Sequence, residues 1–116
     1  MLKNQITENQ ILKIIKNGGG NISKNYRLKN FKMGYNVSIK DICILELNNV
    51  KKITITANKI VKTLQNGQVL GFWVNDNKIY LDISQNYNSL VYALFVAKLN
   101  KQLAIYDNTR QTAINL

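Results

Sequence analysis

Residues 69–84 place the tightest limit on what this chain can fold into. Val69 to Val74 and Lys78 to Ser84 are two apolar-rich runs, and Asn75-Asp76-Asn77 separates them. Asn and Asp tolerate the left-handed backbone that a short strand-to-strand connection demands, so the stretch predicts a β-hairpin. A lone hairpin is marginal in water and needs further strands or a helix against its apolar face. The chain supplies them: 116 residues suit one domain spanning 1–116, and a hydrophobic content of 46% is enough for a core.

Helices flank the hairpin. Thr7 followed by Gln10 forms a capping box, Ile6 and Ile11 can staple it, and Ile11, Leu12, Ile14 and Ile15 supply an apolar face. Gly18-Gly19-Gly20 ends that helix. Ala57 to Gln65 predicts a short second helix ahead of Gly67, while 48–56 fits either a strand or the approach to that helix. A third helix is capped by Asn88 or Ser89 and runs to about Leu99. It is apolar on most faces, which predicts burial.

More strands are expected. Ile22, Tyr26 and Leu28 alternate with polar residues, as do Phe31, Met33, Tyr35 and Val37, so 22–37 reads as a second hairpin turning at Lys29-Asn30. Ser38 to Asp41 reads as a tight turn, and Ile42 to Leu47 as a buried strand containing an inert Cys43. Leu103 to Tyr106 and Arg110 to Leu116 complete the set around a turn at 107–109. The fold class is α+β: a mostly antiparallel sheet built from hairpins, with about three helices.

Charge and composition bear on function. Lys and Arg number 16 against 6 Asp and Glu, a net +10, and there is neither His nor Pro. The excess favours an anionic partner. Part of it fits an AT-rich coding bias, because Lys, Asn and Ile are all plentiful. Without His there is no Ser-His-Asp triad and no imidazole ligand. Asp76, Asp82, Asp107 and Glu46 show no pairing diagnostic of acid–base work or of a metal. A non-enzymatic chain without a cofactor is the expectation. Neither a membrane-length apolar run nor a signal peptide is apparent, which implies the cytoplasm.

Several residues are candidates for binding. Lys24, Arg27, Lys29 and Lys32 interleave with Tyr26, Phe31 and Tyr35, a mix of cations and stacking faces; the plain alternative is a solvated hairpin with its aromatics in the core. Lys51, Lys52, Lys59 and Lys62 form a second basic group. Phe72 and Trp73 are adjacent on a strand, so either one leaves the core face, to stack on a base or to seal a dimer, or the strand is covered on both sides. Arg110 stands beside Tyr106 and Asp107, poised either to grip a phosphate with its planar fork or to pair with Asp107 on the surface. The triple glycine lacks the Lys-Ser/Thr of a phosphate loop and follows a helix instead of preceding one.

The run Gly71-Phe72-Trp73-Val74-Asn75-Asp76-Asn77-Lys78-Ile79-Tyr80-Leu81-Asp82-Ile83-Ser84, then Ala93-Leu94 with Ala97, then Gln102-Leu103-Ala104-Ile105-Tyr106-Asp107, resembles a pattern of small phage-encoded proteins. It is a G-x-W-x-(D/N)-x-(G/N)-K-x-Y-x-D-x-S hairpin, a helix and a Q-x-A-I-(Y/F)-D strand, and the likeness covers roughly residues 34–107. Within that group the chain resembles the Thoeris anti-defence sponges, non-enzymatic proteins that sequester cyclic ADP-ribose isomers. The resemblance implies a homo-oligomer in the host cytosol that holds an anionic cyclic nucleotide near a subunit interface. Arg110, Arg27, Phe72, Trp73, Tyr106 and Asp107 are the candidate ligand residues. Two other classes stay open: a small basic nucleic-acid-binding protein of a phage or mobile element, and a direct protein inhibitor of a host defence system.

Overall fold

The computed structural model describes residues 4–116. In chain order the elements are α1 (Glu8–Asn17), β1 (Gly19–Ser23), β2 (Tyr35–Glu46), α2 (Val50–Val61), β3 (Gln68–Asn75), β4 (Lys78–Tyr87), α3 (Leu90–Leu99), β5 (Ala104–Asp107) and β6 (Thr112–Asn115). The six strands form one antiparallel sheet in the order β1-β3-β4-β2-β5-β6. The α+β class with three helices is therefore as the sequence predicts.

Local chemistry explains the best-anticipated elements. Asp76 and Asn77 both have positive φ, 51° and 64°, the left-handed pair a two-residue hairpin turn needs. At α1 both halves of the capping box form: Thr7 Oγ1 accepts from the Gln10 amide, and Gln10 Oε1 accepts from the Thr7 amide. Gly18 closes α1 in the left-handed conformation, but Gly19 and Gly20 already belong to β1. Ser89 caps α3.

Pairing over long sequence separations corrects the rest. The expected 22–37 hairpin with a turn at Lys29-Asn30 does not form. β1 pairs with β3, placing Ile22 opposite Leu70, and the chain turns back at 24–27 for a single bridge between Ile22 and Leu28. β2 begins only at Tyr35 and runs without a break to Glu46 against β4. The turn expected at Ser38 to Asp41 is instead a pair of register shifts, at Ser38/Lys40 and Asp41/Cys43. Each adds an unpaired residue and bends the strand, which in sequence imitates a turn. Past the bulges 42–47 is only half-buried, with Ile44 exposed. Residues 50–56 are helical: Asn49 caps α2 by accepting from the Lys52 amide, and Ile53, Ala57, Ile60 and Val61 share its buried face.

All three helices cover the same side of the sheet. Leu70, Phe72, Ile79, Leu81 and Ile83 pack there against Ile11 and Ile14 of α1 and the buried face of α2. A smaller cluster joins Ala93, Val96 and Ala97 of α3 to Val37 and Ile105. Val37 pairs with Gln85, two residues beyond Ile83, so strand alternation puts both clusters on one side. Ile39 packs against both. The burial expected of α3 holds only for that inner face; Val91, Tyr92, Phe95 and Leu99 are exposed.

The opposite side of the sheet carries no helix among the described residues. Trp73, Tyr80 and Ile44 form one cross-strand row there, and Gly71, Asp82 and Asp41 the next.

Candidate functional site

Electrostatics separates two depressions in the surface. The first, about 530 Å³, lies on the helix-free side and is lined by Asp41, Ile42, Cys43, Ile44, Tyr80, Leu81 and Asp82. Asp82 is its most unusual group. A Cβ on Gly71 would collide with Asp82 Oδ1, so the glycine opposite leaves room for the carboxylate where it stands. Ser84 Oγ donates to Asp82 Oδ1 at 2.6 Å. Burial pushes the Asp82 pKa up; the Ser84 hydrogen bond opposes that, and the neighbouring Asp41 charge adds to it. Burial likewise raises the Cys43 thiol, with Lys52 opposing, which keeps it protonated and unreactive.

The raised Asp82 has a consequence for stability. The folded state holds this proton more tightly than the unfolded chain, so stability falls as pH rises from the ordinary carboxylate value through the raised folded one. Ionising Asp82 is therefore a net cost to the fold. Asp82→Asn should therefore raise the melting temperature at pH 7, and the gain should vanish below the ordinary carboxylate range. Thermal melts of both proteins at neutral and acid pH check this.

The second depression, about 470 Å³, is opposite in character. It opens between the loop after β1 and the start of β3, and its lining includes Ser23, Lys24, Asn25, Lys29, Phe31, Gly67 and Gln68. No carboxylate is among the described lining residues. Local hydrogen bonds shape it. The Ser23 amide donates to the Arg27 carbonyl at 2.8 Å, the Tyr26 amide to the Ser23 carbonyl at 2.9 Å, and the Lys29 amide to the Asn21 carbonyl at 2.8 Å. Tyr26, at φ 68°, makes the reversal and packs on the main core. The turn thus holds Lys24 and Lys29 against the same hollow. Lys29 Nζ stands 5.4 Å from the Phe31 ring centroid, and Lys24 Nζ donates to Asn66 Oδ1 at 3.3 Å. Lys29 thus stands at an apolar ring, and Lys24 lines the same hollow, an arrangement that suits a phosphate beside a stacked base.

The six candidate residues from the sequence do not converge. Phe72 is a correction: it is 4% exposed in the main core and presents no face to a ligand. Trp73 is the neighbour that leaves the core, 53% exposed on the helix-free side beside Tyr80. Asp107 is buried, and its Oδ1 accepts from the Thr109 and Arg110 amides at 3.0 and 3.2 Å, so it organises its own turn. Arg110 belongs to that turn and not to a strand. Its Nε lies 4.0 Å from Asp107 Oδ2 and its side chain is exposed, which matches the surface-pair alternative. Tyr106 pairs with Asn36 and Ala113. Arg27 is exposed beside the basic cleft. The two arginines sit in turns beside opposite edge strands, β1 and β6, and no observed contact brings them together.

Sequence reasoning found Lys24, Lys29 and Phe31 as a cluster but assigned them to a hairpin that does not form. It missed Gly67 and Gln68, which reach the cleft only through the β1–β3 pairing. The second basic group is the exposed side of α2 and its end. Among the described residues no group of three or more His, Cys, Asp or Glu could hold a metal ion, and no helix is long and apolar enough to cross a membrane. Comparison with protein-family models, curated proteins and solved structures finds no match to the chain.

Proposed function

We propose that this protein is a non-enzymatic binder of an anionic nucleotide, held in the cleft between the loop after β1 and the start of β3. One observation carries the reading: Lys24, Lys29 and Phe31 line one hollow, with Lys29 over the Phe31 ring and no carboxylate among the described lining residues. The ammonium groups would take the phosphates, Phe31 one face of the base, and Ser23, Asn25 and Gln68 the sugar hydroxyls. The acid-lined depression is the poorer host, because Asp41 and Asp82 would repel a phosphate at close range. The likeness to phage anti-defence sponges supports a cyclic ADP-ribose isomer as the ligand and the host cytosol as the place of action. The Ser, Asn and Gln side chains lining the cleft offer no strong general base, in keeping with capture without turnover.

Calorimetric titration with cyclic ADP-ribose tests this. The wild type should bind, and the ligand recovered after heat denaturation should be unchanged. The double variant Lys24→Ala/Lys29→Ala should lose ten- to a hundredfold in affinity, in line with about 1.5–3 kcal/mol for hydrogen bonds to a charged group. Arg110→Ala should bind as the wild type does. Equal affinity of the double variant would remove the cleft from the function. Repeating the titration with a single-stranded oligonucleotide addresses the nucleic-acid reading: a steep fall of affinity with salt would favour a polyanion, since counterion release scales with the phosphates neutralised.

A further inference from the structure

We propose that the outer side of α3 is a two-fold interface that receives α3 of a second copy of this chain, antiparallel. Ser89 caps the helix and its inner residues Ala93, Val96 and Ala97 anchor it to the smaller core. What remains outside is apolar and large. Val91, Phe95 and Leu99 are 79%, 57% and 67% exposed, with Tyr92 beside them. They are spaced by four, so they stand as one ridge along the helix, the kind that interdigitates with its own copy.

The pattern is self-complementary. Counting outward from Phe95, Val91 and Leu99 lie at equal distances, so a two-fold axis at Phe95 sets each Val91 against the other copy's Leu99. An isologous contact requires that symmetry. Opposed helices also align their dipoles favourably. Tyr87 and Tyr92 meet edge to face at 5.2 Å, and Tyr92 and Phe95 lie 6.4 Å apart, so the aromatic part of the surface packs as one cluster.

The area agrees with this occupant. The exposed parts of Val91, Tyr92, Phe95 and Leu99 amount to roughly 500 Å², as large as the biggest apolar patches on ordinary monomers and a large share of the ~800 Å² each partner gives a standard interface. Leu90, Asn88 and Lys98 are exposed around it and would supply the rim. The ridge itself carries no charge, although the chain is +10. It is therefore a place where two copies can meet without opposing lysine against lysine at the centre of the contact.

Sedimentation equilibrium of the full chain at tens of micromolar tests the proposal. The wild type should run at twice 13.3 kDa. Phe95→Glu should be monomeric with an unchanged far-ultraviolet spectrum, because the side chain is not part of the core. Val91→Glu should also be monomeric, and adding Leu99→Lys should restore the dimer, since the antiparallel axis pairs those two positions. A monomeric wild type, a Phe95→Glu protein that stays dimeric, or a double variant no better associated than Val91→Glu would overturn the interface.

Discussion

Phe72→Ala should destabilise the fold by about 3–5 kcal/mol, the usual loss for removing a fully buried aromatic ring. Phe72 is 4% exposed and packs in the cluster that joins β3 and β4 to α1 and α2, so its removal leaves a cavity at the centre of the larger core. Trp73→Ala, one residue along, should cost less than about 1 kcal/mol, because that ring already stands on the uncovered side of the sheet. Urea denaturation of the two variants should place their midpoints far apart. Similar midpoints would mean that the rings do not divide between core and solvent as the strand alternation requires.

Gly34→Ala is expected to be nearly as damaging, at about 2–4 kcal/mol, from the sum of a left-handed backbone cost and a steric conflict. Gly34 has φ 80°, and a Cβ there would meet Asn86 Oδ1 at 2.5 Å and the Tyr87 carbonyl oxygen at 2.9 Å. The backbone oxygen cannot step aside without disturbing β4. The same glycine organises a polar knot: its carbonyl accepts from the Asn108 amide at 3.0 Å, and Asn36 Oδ1 accepts from the side chains of Asn86 and Asn108 at 2.8 and 3.0 Å. Asn108 is buried, so a shifted loop would strand its amide. Gly67→Ala is the matched control. It shares the left-handed φ, 84°, but a Cβ would meet only the Gln85 amide nitrogen at 3.7 Å. Its loss should be about 1–2 kcal/mol, the backbone share alone. Equal losses at 34 and 67 would place the whole cost in φ and none in the knot.

Local sequence and distant pairing contribute unequally to this architecture. The Asn75-Asp76-Asn77 turn, the Thr7–Gln10 capping box and the Ser89 cap were legible because each depends on residues within a few positions of one another. The partner of β1 was not. Ile22 meets Leu70 across forty-eight positions, and no alternation within 19–37 distinguishes that pairing from a local hairpin. The bulges of β2 were hidden for a related reason, since Ser38 to Asp41 has the polar composition of a turn whether or not the strand continues. The candidate cleft inherited the error: Lys24, Lys29 and Phe31 were visible, while Gly67 and Gln68 arrive from another part of the chain. An all-apolar helix such as α3 reads alike whether its outer side meets a core, a second molecule or water. Arg110 drew notice through its rarity, yet its geometry is that of a turn whose carboxylate, Asp107, is committed to backbone amides.

The two hydrophobic clusters have a bearing on how the molecule breathes. One contains most of the buried aliphatic residues, with α1, α2, β3 and β4. The other is five buried residues beneath α3, and Ile39 packs on both. Cooperative opening follows contiguous packing, so the end formed by α3, β5 and β6 is expected to open as a unit, at lower free energy than the global transition. Hydrogen-exchange measurements should then show its amides exchanging through partial openings that leave the hairpin of β3 and β4 intact. On that expectation the basic cleft lies on the slow side of the boundary and the α3 ridge on the fast side. Burying the ridge would thus slow exchange most in the half of the protein that is otherwise the quickest to open.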